Sequence, residues 1–171
     1  MVQIVKLSAA QTRAALPELA ELLQDALASG ASVGFLPPLT DAIAESYWLT
    51  TAQEVESGER LLMVAYKDGA LAGAAQLELA LKPNAQHRAE VQKLLVHTSR
   101  RGCGLAGELM SALEAEARAG GRTLLVLDTE RGSVAEKLYP RYGYIRAGVI
   151  PRYAVKADGS MCDTVVFYRL L

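Results

Sequence analysis

A strand, a glycine-rich loop and a helix follow one another between Glu90 and Glu116, and this stretch constrains the fold more than any other. Residues 90–97 contain leucine and valine without turn residues, which is typical of a buried strand. Further along, the apolar residues follow the spacing of one helical face: Leu105, Leu109, Ala112 and Leu113. Gly120-Gly121 then predicts the end of that helix.

The loop between the strand and the helix indicates an anion site. Arg100 and Arg101 stand just before the helix, whose N-terminal end already carries partial positive charge and unpaired N–H groups. Two cations at this end are unfavourable unless an anion joins them. Gly102 and Gly104 allow the backbone to approach such an anion closely. We therefore predict a phosphate or pyrophosphate site, the alternative being a solvated basic turn.

The composition limits the class of protein. The chain has 171 residues, of which 22% are charged and 51% hydrophobic, so we expect one globular domain over residues 1–171. A net charge of -1 gives no case for a nucleic-acid or membrane partner. Two cysteines, Cys103 and Cys162, argue against a disulfide scaffold or a zinc cluster. With neither an apolar run of membrane-spanning length nor a signal-peptide pattern, we expect a soluble cytoplasmic protein.

The remaining patterns predict a mixed sheet with helices on both faces, in the α/β or α+β class. Strands are predicted at 2–7, 60–67, 71–81, 88–97, 123–128, 144–155 and 163–170, and helices at 17–30, 40–57, 105–120 and 133–141. Asp68-Gly69 is a signal for a tight hairpin, and Gly73 for a bulge. The edges of the C-terminal hairpin offer a pairing surface for a homodimer.

The glycine loop also matches a dinucleotide fingerprint. Gly102-Cys-Gly-Leu-Ala-Gly107 has the form G-x-G-x-x-G, and Asp128 follows about 20 residues later, which would suit an NAD(P)-dependent oxidoreductase. That fingerprint belongs to an initial strand–helix–strand unit, whereas about 100 residues and a hairpin precede it here. Too little chain follows Asp128 to build a doubly wound sheet. A Walker A loop is excluded because no Lys-Ser/Thr pair follows the glycines.

A second interpretation is a family resemblance. Residues 101–106 (Arg-Gly-Cys-Gly-Leu-Ala) resemble the R/Q-x-x-G-x-G/A signature of the GNAT superfamily of N-acetyltransferases. Leu138-Tyr139 followed by Tyr-Gly-Tyr at 142–144 resembles the second motif of that superfamily, and the order of elements resembles it too. More narrowly, three segments are similar to tabtoxin-resistance acetyltransferases: 88–94, 127–130 and 132–136. The usual proline is absent around His97-Thr98, and Gly132 replaces the usual asparagine.

The resemblance implies a mostly antiparallel, twisted sheet of about seven strands and acetyl-CoA as co-substrate. It implies that the pyrophosphate binds the N–H groups of the glycine loop with help from an arginine. It also implies that two residues at the end of the fourth strand offer main-chain groups to the pantetheine arm where two parallel strands splay apart. The predicted cofactor-binding residues are Leu95, Val96, Arg101, Gly102, Cys103, Gly104, Leu105 and Ala106.

Acetyl transfer to an amine requires a base, because a free amine has a pKa near ~10. Glu90 is the first candidate, as a lone carboxylate in an otherwise apolar strand, and Asp128 is the second, at the end of a parallel strand. Each has an ordinary alternative: an exposed strand residue for Glu90, a cap or turn for Asp128. Tyr139 is the candidate acid for the leaving thiolate, its alternative being a core tyrosine.

The sequence therefore predicts an acetyl-CoA-dependent N-acetyltransferase that acts on a small-molecule amine. The tabtoxin-resistance resemblance points to an amino-acid-like antibiotic or toxin as the acceptor. The apolar loop 30–38, Tyr47 and Arg152-Tyr153 are the candidate walls of the acceptor site, whereas Trp48 is expected in the core. The alternatives are an oxidoreductase and a non-catalytic CoA-binding module.

Overall fold

A twisted sheet of seven strands organises the computed structural model, which describes residues 1–171. The strands are β1 (Val2–Lys6), β2 (Arg60–Lys67), β3 (Ala70–Leu79), β4 (Arg88–Val96), β5 (Leu124–Glu130), β6 (Ile145–Val155) and β7 (Met161–Leu170). Their order across the sheet is β1-β2-β3-β4-β5-β7-β6, and only the β4–β5 pair is parallel. The predicted mixed, mostly antiparallel sheet is confirmed.

Helices cover both faces of this sheet, as predicted. They are α1 (Ala9–Ala14), α2 (Leu16–Ala28), α3 (Asp41–Ser57), α4 (Leu105–Ala119) and α5 (Val134–Leu138), with short 3-10 turns at Thr98–Arg100 and Tyr139–Tyr142. No helix combines the length and the apolar character that crossing a membrane would need. Strand β6 lies at a sheet edge, where the predicted homodimer contact remains a prediction.

The first helix, α1, was absent from the predicted order of elements. It has six residues, of which only Thr12 is buried, so no apolar stripe marks it. A capping box does mark it: the Ser8 side chain accepts from the Gln11 N–H, while the Gln11 side chain accepts from the Ser8 N–H. The Ser-x-x-Gln spacing was therefore the signal in the sequence.

Two hydrophobic cores lie on opposite faces of the sheet. One is built around α4, with Leu109 and Leu113 packed on strand residues such as Leu125. The other lies beneath α2 and α3 and contains Trp48, which is completely buried, as predicted. Because both faces are covered, the central strands are apolar on both sides and read as continuous hydrophobic segments.

The parallel strands β4 and β5 separate soon after they meet. Their register covers only three pairs, from Arg88–Leu124 to Glu90–Val126, although β4 continues to Val96 and β5 to Glu130. Within the separating part, β4 contains a bulge in which Lys93 has a left-handed φ of 49°. A gap therefore opens in the sheet at the carboxyl ends of these strands, and the glycine loop follows directly after β4.

Gly73 sits where β3 is approached closely by two neighbours. The register between β2 and β3 shifts beside it, as the predicted bulge requires. A Cβ atom at this position would lie 2.8 Å from the backbone oxygen of Leu95 and 3.1 Å from Cδ1 of Leu109. The glycine therefore lets both β4 and α4 pack against β3.

We predict that Gly73→Ala destabilises the protein by about 1–3 kcal/mol, because the added methyl forces a backbone oxygen to move. Gly148→Ala is the matched control: Gly148 lies in β6 at a φ that other residues adopt, and a Cβ there meets nothing within 4 Å. Urea unfolding measures both. Equal stability of the two variants would contradict this account of the β3–β4 contact.

Candidate functional site

The glycine loop forms a row of unpaired backbone N–H groups at the start of α4. Gly102 and Gly104 have left-handed φ values of 76° and 85°, and Gly104 caps α4 without any side-chain hydrogen bond. None of the N–H groups of residues 102–106 donates to a backbone or side-chain acceptor. Nothing lies within 4 Å of where a Cβ would stand on either glycine. This geometry suits an anion such as a phosphate.

Helix α2 holds the loop in place. Asp25 accepts hydrogen bonds from the Thr98 N–H at 2.8 Å and from the Thr98 hydroxyl at 2.7 Å. Partial burial acts to raise the pKa of the Asp25 carboxyl, but these bonds and the charges of His97 and Arg101 outweigh it and lower the pKa. The loop is therefore braced before any ligand arrives.

The two loop arginines have protein partners. Arg101 donates from Nε to the backbone oxygen of Val96 at 3.2 Å and from Nη2 to Oγ of Ser29 at 2.7 Å. Nη1 of Arg100 lies 3.6 Å from Oδ2 of Asp68, in the β2–β3 turn. Arg100 therefore has an acidic neighbour, whereas Arg101 contacts only neutral acceptors. The unpaired amides and the charge of Arg101 both favour an anion here, and the anion itself stays a prediction.

The main chain of Val96 faces the gap between β4 and β5. The N–H of His97 donates to Ala72 in β3 at 2.9 Å, and Leu95 pairs with Ala74. Because successive strand residues point their N–H groups in opposite directions, the Val96 groups point away from β3. Of the two residues predicted to offer main-chain groups, Val96 is placed to do so, whereas Leu95 is engaged by β3.

The two candidate bases lie on the same face of adjacent strands. Glu90 is in register with Val126, and Asp128 follows two residues later along β5. The Glu90 carboxylate accepts from Nε2 of Gln92 at 3.1 Å. Asp128 Oδ2 lies 2.7 Å from the hydroxyl oxygen of Thr164, which is buried. The structure therefore brings both carboxylates to the gap and gives each a polar neighbour.

A buried arginine organises the polar groups beside Glu90. Arg60 pairs with Glu54 at 2.5 Å and with Glu78 at 3.0 Å. It also donates to the side-chain oxygen of Gln92 at 2.8 Å, which turns the amide nitrogen of Gln92 toward Glu90. No sequence pattern indicated this network, because its members come from α3, β2, β3 and β4.

Tyr139 begins the 3-10 turn that follows α5 and is almost fully buried. Its ring centroid lies 5.8 Å from those of Tyr144 and Phe167. Burial is the main reason that the pKa of Tyr139 is raised, and the charge of Asp128 adds to it. The phenol therefore keeps its proton at neutral pH and is a hydrogen-bond donor.

The predicted acceptor walls stay a prediction, and the structure gives the contacts of three of them. The Tyr47 hydroxyl donates to Gln76 at 2.9 Å, and Phe35 packs edge-on against the Tyr47 ring at 5.4 Å. Asp128, partial burial and Glu90 together raise the pKa of Tyr153. Arg152 is turned elsewhere: its N–H donates to Asp163 and its side chain rests on Met161.

A surface depression of about 490 Å³ lies away from the gap between β4 and β5. Its lining includes His87, which precedes β4, and Gly120 and Gly121, which follow α4. It is thus formed at the opposite ends of the two elements that build the gap, and it contains none of the predicted site residues. The candidate functional site is therefore the gap between β4 and β5.

The topology excludes the dinucleotide interpretation. The G-x-G-x-x-G loop follows the fourth strand instead of the first, and the sheet has a single parallel pair where a doubly wound sheet needs several.

Comparisons with known proteins agree with this geometry. The profile of the acetyltransferase (GNAT) family matches residues 19–144. An uncharacterized N-acetyltransferase of the hisH-hisA intergenic region of Azospirillum brasilense is 36% identical over 118 residues, which are 66% of this chain and 67% of that protein.

Solved structures share the fold over the whole chain. An N-acetyltransferase from Staphylococcus aureus Mu50 has a TM-score of 0.83 at 21% identity, covering 99% of this chain and 98% of that one. YncA from Salmonella typhimurium, solved with its cofactor acetyl-CoA, has a TM-score of 0.80 at 18% identity, covering 100% and 94%. With the family match and the curated relative, these findings show that the chain belongs to the acetyltransferase (GNAT) family and is an acetyl-CoA-dependent N-acetyltransferase.

Proposed function

We propose that this enzyme acetylates the amine of a small molecule, an amino-acid-like antibiotic or toxin of the tabtoxin type. The observation that carries the small-amine part is the pair of carboxylates, Glu90 and Asp128, on the same face of β4 and β5 where these strands separate. The tabtoxin part rests on the sequence similarity of residues 88–94, 127–130 and 132–136.

The loop and the gap fit acetyl-CoA. The unpaired N–H groups of residues 102–106 would hold its pyrophosphate, and the main chain of Val96 would bind the pantetheine arm. Arg101 stands beside Val96 and positions it through their hydrogen bond. When bound, acetyl-CoA supplies an acetyl group activated as a thioester.

Glu90 or Asp128 would accept the proton that the acceptor ammonium must lose before its nitrogen can attack, directly or through a water. Gln92 orients the first carboxylate and Thr164 the second. A carboxylate held by a donor keeps one oxygen free for the acceptor, so either arrangement serves a base.

Tyr139 would donate a proton or a hydrogen bond to the departing sulfur. Its raised pKa keeps the phenol protonated at neutral pH, so that it can act as a donor when negative charge develops on the sulfur. A buried donor near the gap also excludes water from the leaving group, which strengthens the hydrogen bond.

The names of structural neighbours leave the acceptor class open. A structure from Brucella melitensis is named ribosomal-protein-alanine N-acetyltransferase, with a TM-score of 0.83 and 22% identity. Another is named a putative phosphinothricin N-acetyltransferase, with a TM-score of 0.80 and 21% identity. An acceptor screen therefore decides between a small molecule and a protein terminus.

We predict that mass spectrometry of an acceptor screen detects acetylation of amino-acid-like toxins, including tabtoxin, and not of a peptide with N-terminal alanine. The double variant Glu90→Gln, Asp128→Asn is the control and should fall by about 100-fold or more, because neither amide accepts a proton. Acetylation of the peptide alone would contradict the small-molecule proposal. Undiminished turnover by the double variant would show that neither carboxylate is the base.

The anion site is tested by Gly104→Asp against Gly104→Asn. Both side chains tolerate a left-handed φ and enter open space, so the two variants differ only in charge. Repulsion of the pyrophosphate should weaken acetyl-CoA binding in the Asp variant by about tenfold relative to Asn. Calorimetry measures this ratio, which should shrink as salt is added. Equal affinities of the two variants for acetyl-CoA would mean that the pyrophosphate does not bind at this loop.

Tyr139→Phe should lower kcat by about 100-fold while leaving acetyl-CoA affinity nearly unchanged, because only a proton donor is removed. Since the pKa of Tyr139 is raised, the loss should be equally large throughout pH 6 to 9. Tyr144→Phe removes the same atom from the ring packed against Tyr139 and is the matched control. Steady-state kinetics of both variants suffice. Similar losses in the two would indicate a packing role for the motif.

A further inference from the structure

The backbone of Lys93 adopts a conformation that nothing in the surrounding sequence predicts. Its φ of 49° is left-handed, and it lies inside a strand, at the bulge where β4 leaves β5. The other non-glycine residues with positive φ, Asp68 and Arg152, lie at a hairpin turn and at an irregularity of the edge strand β6. Such a conformation is strained for a lysine and persists where the surroundings impose it, often at functional sites.

The bulge directs the Lys93 side chain into the acceptor side of the gap. Its Nζ lies 5.3 Å from the centroid of the Tyr47 ring. A Cβ placed on Gly34 would stand 3.5 Å from the same nitrogen, so the ammonium lies against the apolar loop 30–38. The charges of Glu90 and Asp128 also act on the Lys93 ammonium and favour its protonated form. Lys93 thus stands among the groups proposed to surround the acceptor.

The ammonium of Lys93 has no anionic partner. No carboxylate oxygen lies within 4.0 Å of it, whereas Lys6 and Lys156 are each paired with a glutamate. Burial and the charge of Arg60 lower the pKa of Lys93, and Asp128 and Glu90 only partly oppose them. Arg60 itself is neutralised by two carboxylates. A partly buried cation without a partner is unfavourable unless a ligand supplies the anion.

We propose that Lys93 binds the carboxylate of the acceptor and so restricts the enzyme to amines that carry a carboxylate. This inference rests on the proposed function and deepens it. The gap presents two carboxylates and one ammonium, which are the charges that complement the two ends of a zwitterionic amino acid. The acceptor ammonium faces Glu90 and Asp128, and its carboxylate faces Lys93 over the Tyr47 ring.

The test compares each acceptor found for the wild-type enzyme with its own carboxamide, in which only the anionic charge is lost. The wild type should favour the carboxylate in kcat/KM by about tenfold or more, and mainly through KM. Lys93→Met, which keeps the aliphatic stem, should abolish this preference by lowering kcat/KM for the carboxylate to the value for the carboxamide. Lys82→Met, at an exposed position after β3, is the matched control and should behave as wild type.

The outcomes separate the inference from the function on which it rests. Acetyl-CoA affinity of Lys93→Met, measured by calorimetry, shows whether the variant is folded, and Lys93→Gln serves in its place where it is not. Equal losses toward carboxylate and carboxamide would mean that Lys93 only balances the charges of Glu90 and Asp128, and would overturn the inference. So would a wild-type preference for carboxamides. Failure of the wild type to acetylate any small amine would instead overturn the proposed function and the inference together.

Discussion

The separation of β4 from β5 is the constraint on which the site depends. Two parallel strands that stop pairing leave main-chain groups without partners, and such groups are unfavourable in a covered sheet unless something else bonds them. Here the gap is held open from both sides: β5 stays fully paired with β7, and β4 stays paired with β3 through the bulge at Lys93. An extended ligand arm in this gap would act as an additional strand.

Electrostatics at the two ends of the gap are arranged differently. On the donor side, the unpaired N–H groups of residues 102–106 are the proposed anion site, and charged side chains hold the loop in place: Asp25 bonds Thr98, and Arg101 bonds Val96 and Ser29. On the acceptor side, formal charges meet in a partly buried space. Backbone N–H groups bind a diphosphate whichever side chains the loop carries, whereas charged side chains select among acceptors by the acceptors' own charges.

Catalysis in such a site depends on positioning more than on unusual reactivity. The neighbours of Glu90 and Asp128, Gln92 and Thr164, restrict the orientation of the two carboxylates. Tyr139 lies in the hydrophobic core around α4, on the other face of the sheet from these carboxylates, and an aromatic cluster holds its ring. The proposed base and the proposed acid thus lie on the two faces of the sheet, an arrangement in which one can remove a proton while the other delivers one.

Much of this protein was determined by the sequence alone. Hydrophobic periodicity gave the strands and the longer helices, and the glycine loop together with the Leu138-Tyr139 motif indicated the family. These signals are local, because a left-handed glycine or an apolar stripe depends on residues close in the chain. The tertiary structure decided what depends on distant partners: where Arg100 and Arg101 point, that Val96 and not Leu95 faces the gap, and how Arg60 orients Gln92. Lys93 belongs to this second group. One extra residue in β4 reverses the alternation of its side chains, and a bulge of this kind is set by the strands on either side, not by the residues within it.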